Sequence, residues 1–340
     1  MPGLPPVLAA NTLVNGIWTT FNNMWMFEST PAPQLEGCMT SNLPSNARQQ
    51  IYAYFETAPY PSRVNYGDTT PAKSFDSKNF TVINYLFKHR IAWSKYDERD
   101  DQTQSLVAQA QMGGDHFATI PERAFFEIVN ASASLLPAIP NAPDGAALHS
   151  ATDGAGADRF GVSGGNIITG SGILSGDAVR SDFWAAVARM MLFQDKEGQP
   201  LFDVGKVKKY TILYHPTNEQ VFREGFKQGL TGMIVKATGA HVAGAAGVAA
   251  AAVDNTIKEA GLNFDLWPSQ RLSDTADWFI FAEGLPQKAI FQQTRDPLEV
   301  AIAVDETSDY ARDTGNKYMQ WESRQGYGVA IPYATIKVNN

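Results

Sequence analysis

The residues of this sequence that best imitate a catalytic motif are Gly161-Val-Ser-Gly-Gly165, which satisfy the G-x-S-x-G pattern of a nucleophile elbow. In that motif the serine stands on a strained turn between a strand and a helix, which exposes its hydroxyl for acyl transfer. Here a loop rich in glycine and aspartate precedes Ser163, and Asn166-Ile-Ile-Thr-Gly170 follows it. Of the downstream histidines, His215 precedes a proline and His241 lies in an Ala/Gly run. A soluble α/β hydrolase using Ser163 is therefore a minor alternative.

The other chemically capable groups do not form a site. Gly170-Ser-Gly-Ile-Leu-Ser-Gly176 misses G-x-G-x-x-G by one residue, and no G-x-x-x-x-G-K-[ST] is present, so a nucleotide-binding loop is unsupported. The acids Asp97, Glu98, Asp100 and Asp101 lack the spacing and the glycine of a calcium loop, and capping of a following helix explains them. We predict no catalytic residue, no cofactor, no metal ligand and no enzyme activity.

Composition limits the class of protein. The 340 residues include 44% hydrophobic and 18% charged side chains, as in a folded chain of one large or two ordinary domains. The net charge of −8 disfavours a protein that binds nucleic acid through its charge. Cys38 is the only cysteine, which excludes an intramolecular disulfide. Because no secretory signal and no apolar stretch of about 18 residues is found, we expect synthesis in a reducing cytoplasm and no membrane.

The chain is organised around a stretch from about Lys78 to Ala131. A run from Asn79 to Ser94 alternates roughly between polar and β-branched or aromatic residues, which predicts a long strand. Beyond Asp101, apolar or small residues recur at steps of three and four, which predicts one amphipathic helix. That helix would span about 28 residues, begin with a capping box formed by Asp101 and Gln104, and bend at Pro121.

The first part of the chain predicts an arm and a hairpin. Residues 1–11 are rich in proline and alanine, and Thr12 to Phe27 has the periodicity of an amphipathic helix with an aromatic face. A short helix is expected from Ala47 to Phe55. Tyr60 to Ser77 would be the outgoing limb of a long hairpin whose tip lies near Gly67 to Asp76, and the strand after Asn79 would return.

The middle of the chain predicts a mixed α/β domain, and the end predicts strands. Asp144 to Gly176 is expected to be a surface loop, and Asp177 to Phe193 a helix. A third helix would open through a capping box at Thr217 and Gln220, with Phe222, Phe226 and Leu230 buried. The expected strands are Tyr210–Tyr214, Leu262–Leu266, Trp278–Ala282, Ala289–Gln292, Leu298–Val304, Tyr318–Ser323 and Val329–Val338.

The order and spacing of a few segments resemble a known family. These segments are Ala58-Pro-Tyr-Pro61 with Ser77-Lys-Asn-Phe-Thr-Val82, then Asp100-Asp101 with Ile120-Pro121-Glu122, then Asp144-Gly145 with His149, and finally Phe291-Gln-Gln-Thr-Arg-Asp-Pro297 with Asp309-Tyr310, Tyr318 and Arg324-Gln-Gly-Tyr-Gly328. The third match is partial, because Ala146-Ala147 stands where aromatic residues are usual. In these segments the chain is similar to tailed-phage major capsid proteins, and most closely to the Mu-like phage major head subunit family.

The resemblance implies the Hong Kong 97-type (HK97-type) phage capsid fold, an α+β fold. It assigns parts of the chain to an N-terminal arm, an extended loop, a peripheral domain containing the long spine helix, and an axial domain. The implied parts are the N-terminal arm at 1–45, the peripheral domain at 46–59 and 97–137, the extended-loop hairpin at 60–96, the axial domain at 138–288, and the peripheral strands with the C-terminus at 289–340.

The resemblance also implies a function. The chain would be the major capsid protein whose pentamers and hexamers self-assemble into the icosahedral shell around the double-stranded DNA of a tailed bacteriophage, in the host cytoplasm. Separate scaffold, portal and decoration proteins would be its partners. The alternatives are a cellular nanocompartment shell of the same fold, and ordinary core packing of a monomeric α/β protein.

A hairpin without a core of its own must bury its surface on a partner, and an aromatic arm must do likewise. The residues expected at subunit interfaces are Trp18, Phe21, Trp25, Phe80, Val82, Tyr85, Phe87 and Trp93.

Overall fold

The computed structural model describes residues 12–28, 33–57, 76–94, 96–97, 105–227, 230–232, 252–254, 261–303 and 309–340. The chain divides into two compact units. Unit 1 contains Met1–Leu148 and Ile290–Ile331, and unit 2 contains His149–Ala289 and Pro332–Asn340. No helix among the described residues is long and apolar enough to cross a bilayer.

Both helices and strands are numbered in chain order. The helices are α1 (Thr12–Glu28), α2 (Pro33–Cys38), α3 (Ser105–Ala118), α4 (Ile120–Asn130), α5 (Gly176–Met191), α6 (Glu219–Phe226) and α7 (Asp309–Thr314). The strands are β1 (Met39–Pro44), β2 (Gln49–Thr57), β3 (Asp76–Ile83), β4 (Tyr85–Ser94), β5 (Ile167–Thr169), β6 (Lys209–Tyr214), β7 (Leu230–Gly232), β8 (Ala252–Asp254), β9 (Phe264–Pro268), β10 (Trp278–Glu283), β11 (Ile290–Ala303), β12 (Asn316–Val329) and β13 (Thr335–Asn339).

A four-stranded sheet in the order β1-β11-β12-β4 forms the frame of unit 1. β11 and β12 are antiparallel and stay paired from Ile290 opposite Val329 to Ala303 opposite Tyr318, with irregular register near Asp296. In the first half of β12 buried and partly exposed residues alternate, because successive side chains of a strand point to opposite faces. One face of the sheet is therefore buried, with Met319 and Trp321 at 0% exposed, and it can receive helices.

α1 packs closely on α3 in unit 1. Val14, Ile17 and Phe21 recur at steps of three and four along α1, and each is 0% exposed. The close approach depends on Gly114 of α3, where an added Cβ would lie 2.6 Å from the carbonyl oxygen of Phe21. The Phe21 ring then stacks on Trp321 of β12 at 3.8 Å between centroids, with 12° between planes. The expected helix at Thr12–Phe27 is thus confirmed.

The expected single spine helix is two helices, which is a correction. α3 ends at Ala118 and α4 begins at Ile120, so the break falls at Thr119. Pro121 lies in the first turn of α4, where its missing donor costs nothing because those positions have no partner within the helix. The expected capping box at Asp101 and Gln104 lies outside the described residues.

The first strand of the hairpin was wrongly expected to be a helix. Residues Ala47–Phe55 were predicted as a short helix, but Gln49–Thr57 forms β2 and pairs with β3. The alternation of Gln50, Tyr52 and Tyr54 towards one face fits a strand, and a long-range partner overrode the local pattern. The expected outgoing limb and tip lie mostly in residues 58–75, outside the described residues. The expected strand Asn79–Ser94 is broken at Asn84.

Unit 2 is built on a five-stranded sheet in the order β5-β13-β10-β6-β9. α5 and α6 bury their apolar faces on it, and their side chains share one core with strands β6, β10 and β13. The expected helix Asp177–Phe193 and strands Tyr210–Tyr214 and Trp278–Ala282 are confirmed. The expected capping box at Thr217 is absent, since the His215 ring accepts a hydrogen bond from the Thr217 amide. Leu230 belongs to β7 and not to a helix.

Two expectations for the last part of the chain need correction. Ala289–Gln292 and Leu298–Val304 were expected as separate strands, but they fall in the single strand β11. The expected strand Val329–Val338 is instead the end of β12, a 3₁₀ turn at Pro332–Ala334 and then β13. Pro332 lacks the amide hydrogen that a continuous ladder would need.

Within unit 2, Asn166 holds the Gly-rich loop in place. Its side-chain amide nitrogen donates to the carbonyl oxygens of Pro332 at 3.0 Å and Thr335 at 3.2 Å. Its side-chain oxygen accepts from the Ser150 amide at 2.9 Å and from Arg159 at 3.2 Å. Asn166 is 0% exposed, so these bonds replace the water that it loses. The loop expected at Asp144–Gly176 is therefore an ordered, hydrogen-bonded segment over most of its length.

The contact between α1 and α3 yields a stability prediction. Gly114→Ala would place a methyl group against the Phe21 carbonyl, and we expect a loss of about 1–3 kcal/mol in the free energy of unfolding from overpacking. Gly16→Ala is the matched control, because its Cβ would meet only Val107 at 3.9 Å. That change should raise helix stability by up to about 1 kcal/mol. Chemical denaturation of both variants measures the difference, and equal effects would contradict the close packing.

A second prediction concerns pH and His149. The ring bonds to Thr335 Oγ1 at 3.0 Å, and burial, then Arg159 and Lys337, lower the pKa of His149 well below its usual 6.5. Below about pH 6.5 the unfolded chain binds a proton on His149 that the folded chain does not bind. The free energy of unfolding therefore falls as pH falls. His149→Gln keeps a hydrogen-bonding group and should lose less stability between about pH 7.5 and about pH 5.5. Equal losses in denaturation experiments would exclude this role.

Candidate functional site

The hairpin β2–β3 is a two-stranded sheet in unit 1. The two strands pair with each other in antiparallel register, from Gln49 opposite Ile83 to Thr57 opposite Asp76. Among the described residues, no third strand adds to them. A two-stranded hairpin alone is marginally stable in water, so its faces must be covered.

One face of the hairpin is covered by unit 1 itself. Tyr52 and Phe80 are directly opposite one another and stack at 5.5 Å between ring centroids. Phe291 of β11 meets both rings edge-on, at 5.3 Å from Tyr52 and 6.3 Å from Phe80. Val82, next but one after Phe80, is 3% exposed. This inward face is a small aromatic core at the base of the hairpin.

A group of hydrogen-bonded polar side chains, which we call the polar node, fixes the base of the hairpin. It consists of the amides of Asn84 and Gln293 and the hydroxyls of Ser45 and Tyr52. Asn84 interrupts the run between β3 and β4, and its side-chain nitrogen donates to Ser45 Oγ at 2.8 Å and to the carbonyl oxygen of Ala47 at 2.7 Å. Its side-chain oxygen accepts from Gln293 Nε2 at 2.9 Å. Gln293 Oε1 in turn accepts from Tyr52 Oη at 2.7 Å.

The amides of the node are buried and closely packed. Gln293 is 0% exposed, and Asn84 and Ser45 are each 5% exposed. Burial also raises the pKa of Tyr52, so its hydroxyl stays a donor. Gly326 of β12 lies directly against the node, because an added Cβ there would sit 2.8 Å from the side chains of Asn84 and Gln293. Directional hydrogen bonds therefore set the direction in which the hairpin leaves the sheet. The site has no room for a side chain at position 326.

Three of the residues expected at subunit interfaces are buried within this chain. Phe21 is 0% exposed against Trp321, Val82 is 3% exposed under the hairpin, and Trp93 is 2% exposed on β4. Trp93 is paired opposite Lys317 in the sheet. In the folded subunit these side chains stabilise unit 1.

The other five expected interface residues are Trp18, Trp25, Phe80, Tyr85 and Phe87, and all are half-buried. Their exposed edges leave apolar surface on α1, β3 and β4 without a full cover in the subunit. Trp25 also lines a pocket of about 290 Å³ whose lining contains no charged side chain. The structure thus brings Phe80 together with the polar node, and it leaves the two tryptophans on α1, away from the hairpin strands.

Sequence analysis missed the polar node. Its signal in the sequence is weak. Asn84 is a single amide between the apolar pairs Val82-Ile83 and Tyr85-Leu86, and Gln292-Gln293 is an amide pair in a strand. The two amides are 209 positions apart, so no local pattern links them. Only the sheet brings them together.

The structure gives Ser163 none of the features of a nucleophile elbow. The residue follows a 3₁₀ turn at Arg159–Gly161 and precedes β5, whereas the motif needs a strand before the serine and a helix after it. Arg189 of α5 donates a hydrogen bond to the Ser163 carbonyl and so holds the turn. His215 caps a 3₁₀ turn, and His241 lies outside the described residues. The hydrolase alternative has no support in this geometry.

The acidic segment has a structural role where it is described. Asp97 accepts a hydrogen bond from the Ser94 amide at 2.9 Å, and the Asp97 amide donates to Ser94 Oγ at 3.1 Å, which closes a turn after β4. The acids Glu98, Asp100 and Asp101 lie outside the described residues. In the part of the chain that the structure describes, no group of three or more His, Cys, Asp or Glu side chains is placed to hold a metal ion.

Comparison with known proteins adds the fold to this geometry. No family model matches the sequence, and no curated protein matches it. The capsid of the cyanophage P-SCSP1u gives a TM-score of 0.51 at 13% identity, over 89% of this chain and 86% of that one. The capsid of the Myoviridae phage XM1 gives 0.51 at 12% identity, over 89% of this chain and 90% of that one. The chain has the fold of phage capsid proteins.

A third capsid supports the same conclusion about the fold. The capsid of an empty GTA particle gives a TM-score of 0.51 at 12% identity, over 90% of each chain. The predicted HK97-type α+β fold is therefore confirmed. The closer resemblance to the Mu-like head subunit family stays a prediction.

The polar node yields a prediction with a matched control. Asn84→Ala would remove the hydrogen-bond partner of the buried Gln293 side-chain nitrogen and of the buried Ser45 hydroxyl, and we expect the free energy of unfolding to fall by about 1–3 kcal/mol. Asn79→Ala changes the same residue type on the exposed face of the same hairpin, and its effect should stay within about 0.5 kcal/mol. Hydrogen exchange should show faster opening of β2–β3 in Asn84→Ala alone. Similar exchange in both variants would mean that the node does not hold the hairpin.

Proposed function

We propose that this chain is the major capsid protein of a tailed bacteriophage and that many copies assemble into an icosahedral shell around double-stranded DNA. The observation that carries the proposal is the capsid fold over about nine-tenths of the chain, with TM-scores of 0.51 to several phage capsids. The fold supports a structural role, and the best catalytic motif, at Ser163, lacks the strand–turn–helix frame that the hydrolase alternative needs.

The parts of the chain take their roles in a shell from this fold. The implied division has the N-terminal arm at 1–45, the peripheral domain at 46–59 and 97–137 with the strands after 289, the extended loop at 60–96, and the axial domain at 138–288. Strand pairing moves two of these bounds: β2 pairs with β3, so we assign it to the extended loop, and β4 pairs with β12, so we assign it to the peripheral domain. The two compact units support this division, since unit 1 holds the spine helices and the β11–β12 frame. Because β13 pairs with β10 in unit 2, we assign Thr335–Asn339 to the axial domain.

The contacts between subunits are made by the hairpin and by α1. The hairpin lies over a neighbouring copy, because the part of the chain that the structure describes covers its Tyr52–Phe80 face and leaves Ile51 on the other face exposed. On α1, the half-buried Trp18 and Trp25 offer aromatic surface of the kind enriched at the centre of interfaces. On β4, Tyr85 and Phe87 are also half-buried.

The chain's charge suits a container for DNA. With a net charge of −8, the subunit does not bind the polyanion strongly, so the genome stays free to leave through the portal. Pentamers and hexamers of one sequence form the shell, which closes because the same contacts repeat around rotation axes. A scaffold protein, a portal and decoration proteins are separate partners, and assembly takes place in the host cytoplasm.

The decisive experiment is expression of the chain alone and together with a scaffold protein. Size-exclusion chromatography and negative-stain electron microscopy should show icosahedral shells, or rings with five- and six-fold symmetry. Nucleic acid inside native particles would establish the DNA container, whereas a packed protein cargo would indicate a nanocompartment. A monomer of 37.1 kDa under both conditions would overturn the proposal.

A further inference from the structure

The imidazole of His89 contacts three elements of unit 1 at once. His89 lies on the buried face of β4, opposite Trp321 of β12, with 6.4 Å between ring centroids. The Phe21 ring of α1 stacks over it at 6.0 Å between centroids, with 23° between planes. On α3, an added Cβ at Gly113 would lie 2.6 Å from His89 Cδ2 and would also collide with Nε2. The ring therefore fills the space between the sheet, α1 and α3.

Two successive glycines make the position of α3 depend on this histidine. Gly113 allows α3 to approach the His89 ring, and Gly114 allows it to approach the backbone of Phe21. Phe21 also meets Phe117 of α3, with 6.3 Å between ring centroids. Because these side chains are closely packed, a movement of α3 away from His89 disturbs the contact between α3 and α1 as well.

The packed arrangement suits only the neutral ring. His89 Nε2 is buried and, among the described residues, has no hydrogen-bond partner. In the neutral imidazole the proton can stay on Nδ1, so that Nε2 needs no acceptor. The imidazolium carries a proton on both nitrogens, and its Nε2–H would be a buried, charged donor against Gly113. Such a donor costs free energy when no acceptor replaces the water that it loses.

The helices that pack on His89 bring no carboxylate to its ring. The only ionisable side chain of α1 is Glu28, seven residues after Phe21 and so about 10 Å further along the helix. On α3 the ionisable side chains are Asp115 and His116. His116 follows Gly113 by three residues and shares its side of the helix, whereas Asp115 follows by two and does not. A second titratable histidine therefore faces His89.

The strands bring no carboxylate to the buried face beside His89 either. Lys88 and Arg90 flank His89 on β4 and point to the opposite face of the sheet, where Lys88 pairs with Glu322 at 3.0 Å. Lys317 of β12 shares the buried face and is a cation, paired opposite Trp93. The ionisable groups on the side of His89 are thus ones that oppose a further positive charge.

The effect of pH follows from this environment. Burial, then His116, lowers the pKa of His89 from its usual value of 6.5. Where α3 has moved away and water reaches the ring, the pKa returns to about 6.5. The open state therefore binds a proton more readily than the packed state, and it is favoured as pH falls below about 6.5. Above that pH the packing is at its full strength.

We propose that His89 is an acid-sensitive switch: protonation of its imidazole releases α3 from β4 and, through Phe21, releases α1 from the sheet of unit 1. The released state exposes Val14, Ile17 and Phe21, each 0% exposed when α1 is packed. Acid thereby converts the buried side of α1 into an apolar surface open to other molecules. This inference uses contacts within unit 1 alone and does not rest on the proposed function.

Hydrogen exchange of the full chain tests the switch. Exchange in α1 and α3 is followed at about pH 7.5 and about pH 5.5, and each rate is divided by the rate of an unstructured chain at the same pH. In His89→Gln and His89→Leu the side chain cannot be protonated. The loss of protection between the two pH values should therefore be about three- to tenfold smaller in these variants than in the wild type. Tenfold is about the limit for a group that stays neutral one pH unit below its unfolded pKa.

His116→Gln is the matched control, because it removes the exposed histidine of the pair and keeps His89. It should retain a loss of about threefold or more in α1 and α3 between the two pH values. The second titrating histidine, His149, lies in unit 2 and is present in every variant, so it cancels in the comparison. Equal losses in the wild type and in both His89 variants would overturn the inference. A loss abolished by His116→Gln would assign the effect to His116 and overturn it as well.

A titration of the wild type by nuclear magnetic resonance needs no variant and so does not depend on how the substitutions fold. The His89 ring should stay neutral below about pH 6.5 for as long as α1 and α3 keep their protection. Its protonation should coincide with the loss of that protection. If the ring instead titrates at about 6.5 while both helices stay protected, the packed state accepts the charge and the switch is refuted.

Discussion

The antiparallel pairing of β11 and β12 is the constraint on which the rest of unit 1 depends. Each strand contains 14 residues, so the pair offers a frame long enough to hold several elements at once. Trp321 of β12 receives Phe21 of α1, and Gln293 of β11 receives the base of the hairpin. Because both contacts start from the same strand pair, the aromatic helix and the hairpin are held in a fixed relation.

Hydrogen bonds hold the base of the hairpin, beside the aromatic packing of Tyr52 on Phe291. Buried hydrogen bonds contribute modest net free energy, but leaving one partner unpaired is costly, so a fully satisfied network favours one geometry over its neighbours. Asn84 and Gln293 satisfy each other and their surroundings within the fold. The directional bonds at the base of the hairpin therefore hold β2 and β3 in one orientation on the sheet of unit 1.

Much of the secondary structure follows from local pattern, and its failures share a cause. The helices at Thr12–Glu28 and Gly176–Met191 have periodic apolar faces, which a sequence shows directly. The Gln49–Thr57 segment was mistaken for a helix because its partner strand is contributed from a distance, by β3. A strand gains its stability from a neighbour, whereas a helix satisfies its backbone within itself, so strands depend more on context.

By itself, the sequence determined the class of protein: a folded, acidic chain with one cysteine, no coherent catalytic motif, and an ordered series of segments similar to phage capsid proteins. Only the tertiary structure shows which apolar residues pack inside this chain. Of the residues predicted at interfaces, Phe21, Val82 and Trp93 are buried in the chain, whereas Ile51, which was not among them, is 63% exposed. Periodicity shows that a residue lies on an apolar face, but only the packed partner decides whether that face meets its own chain or solvent.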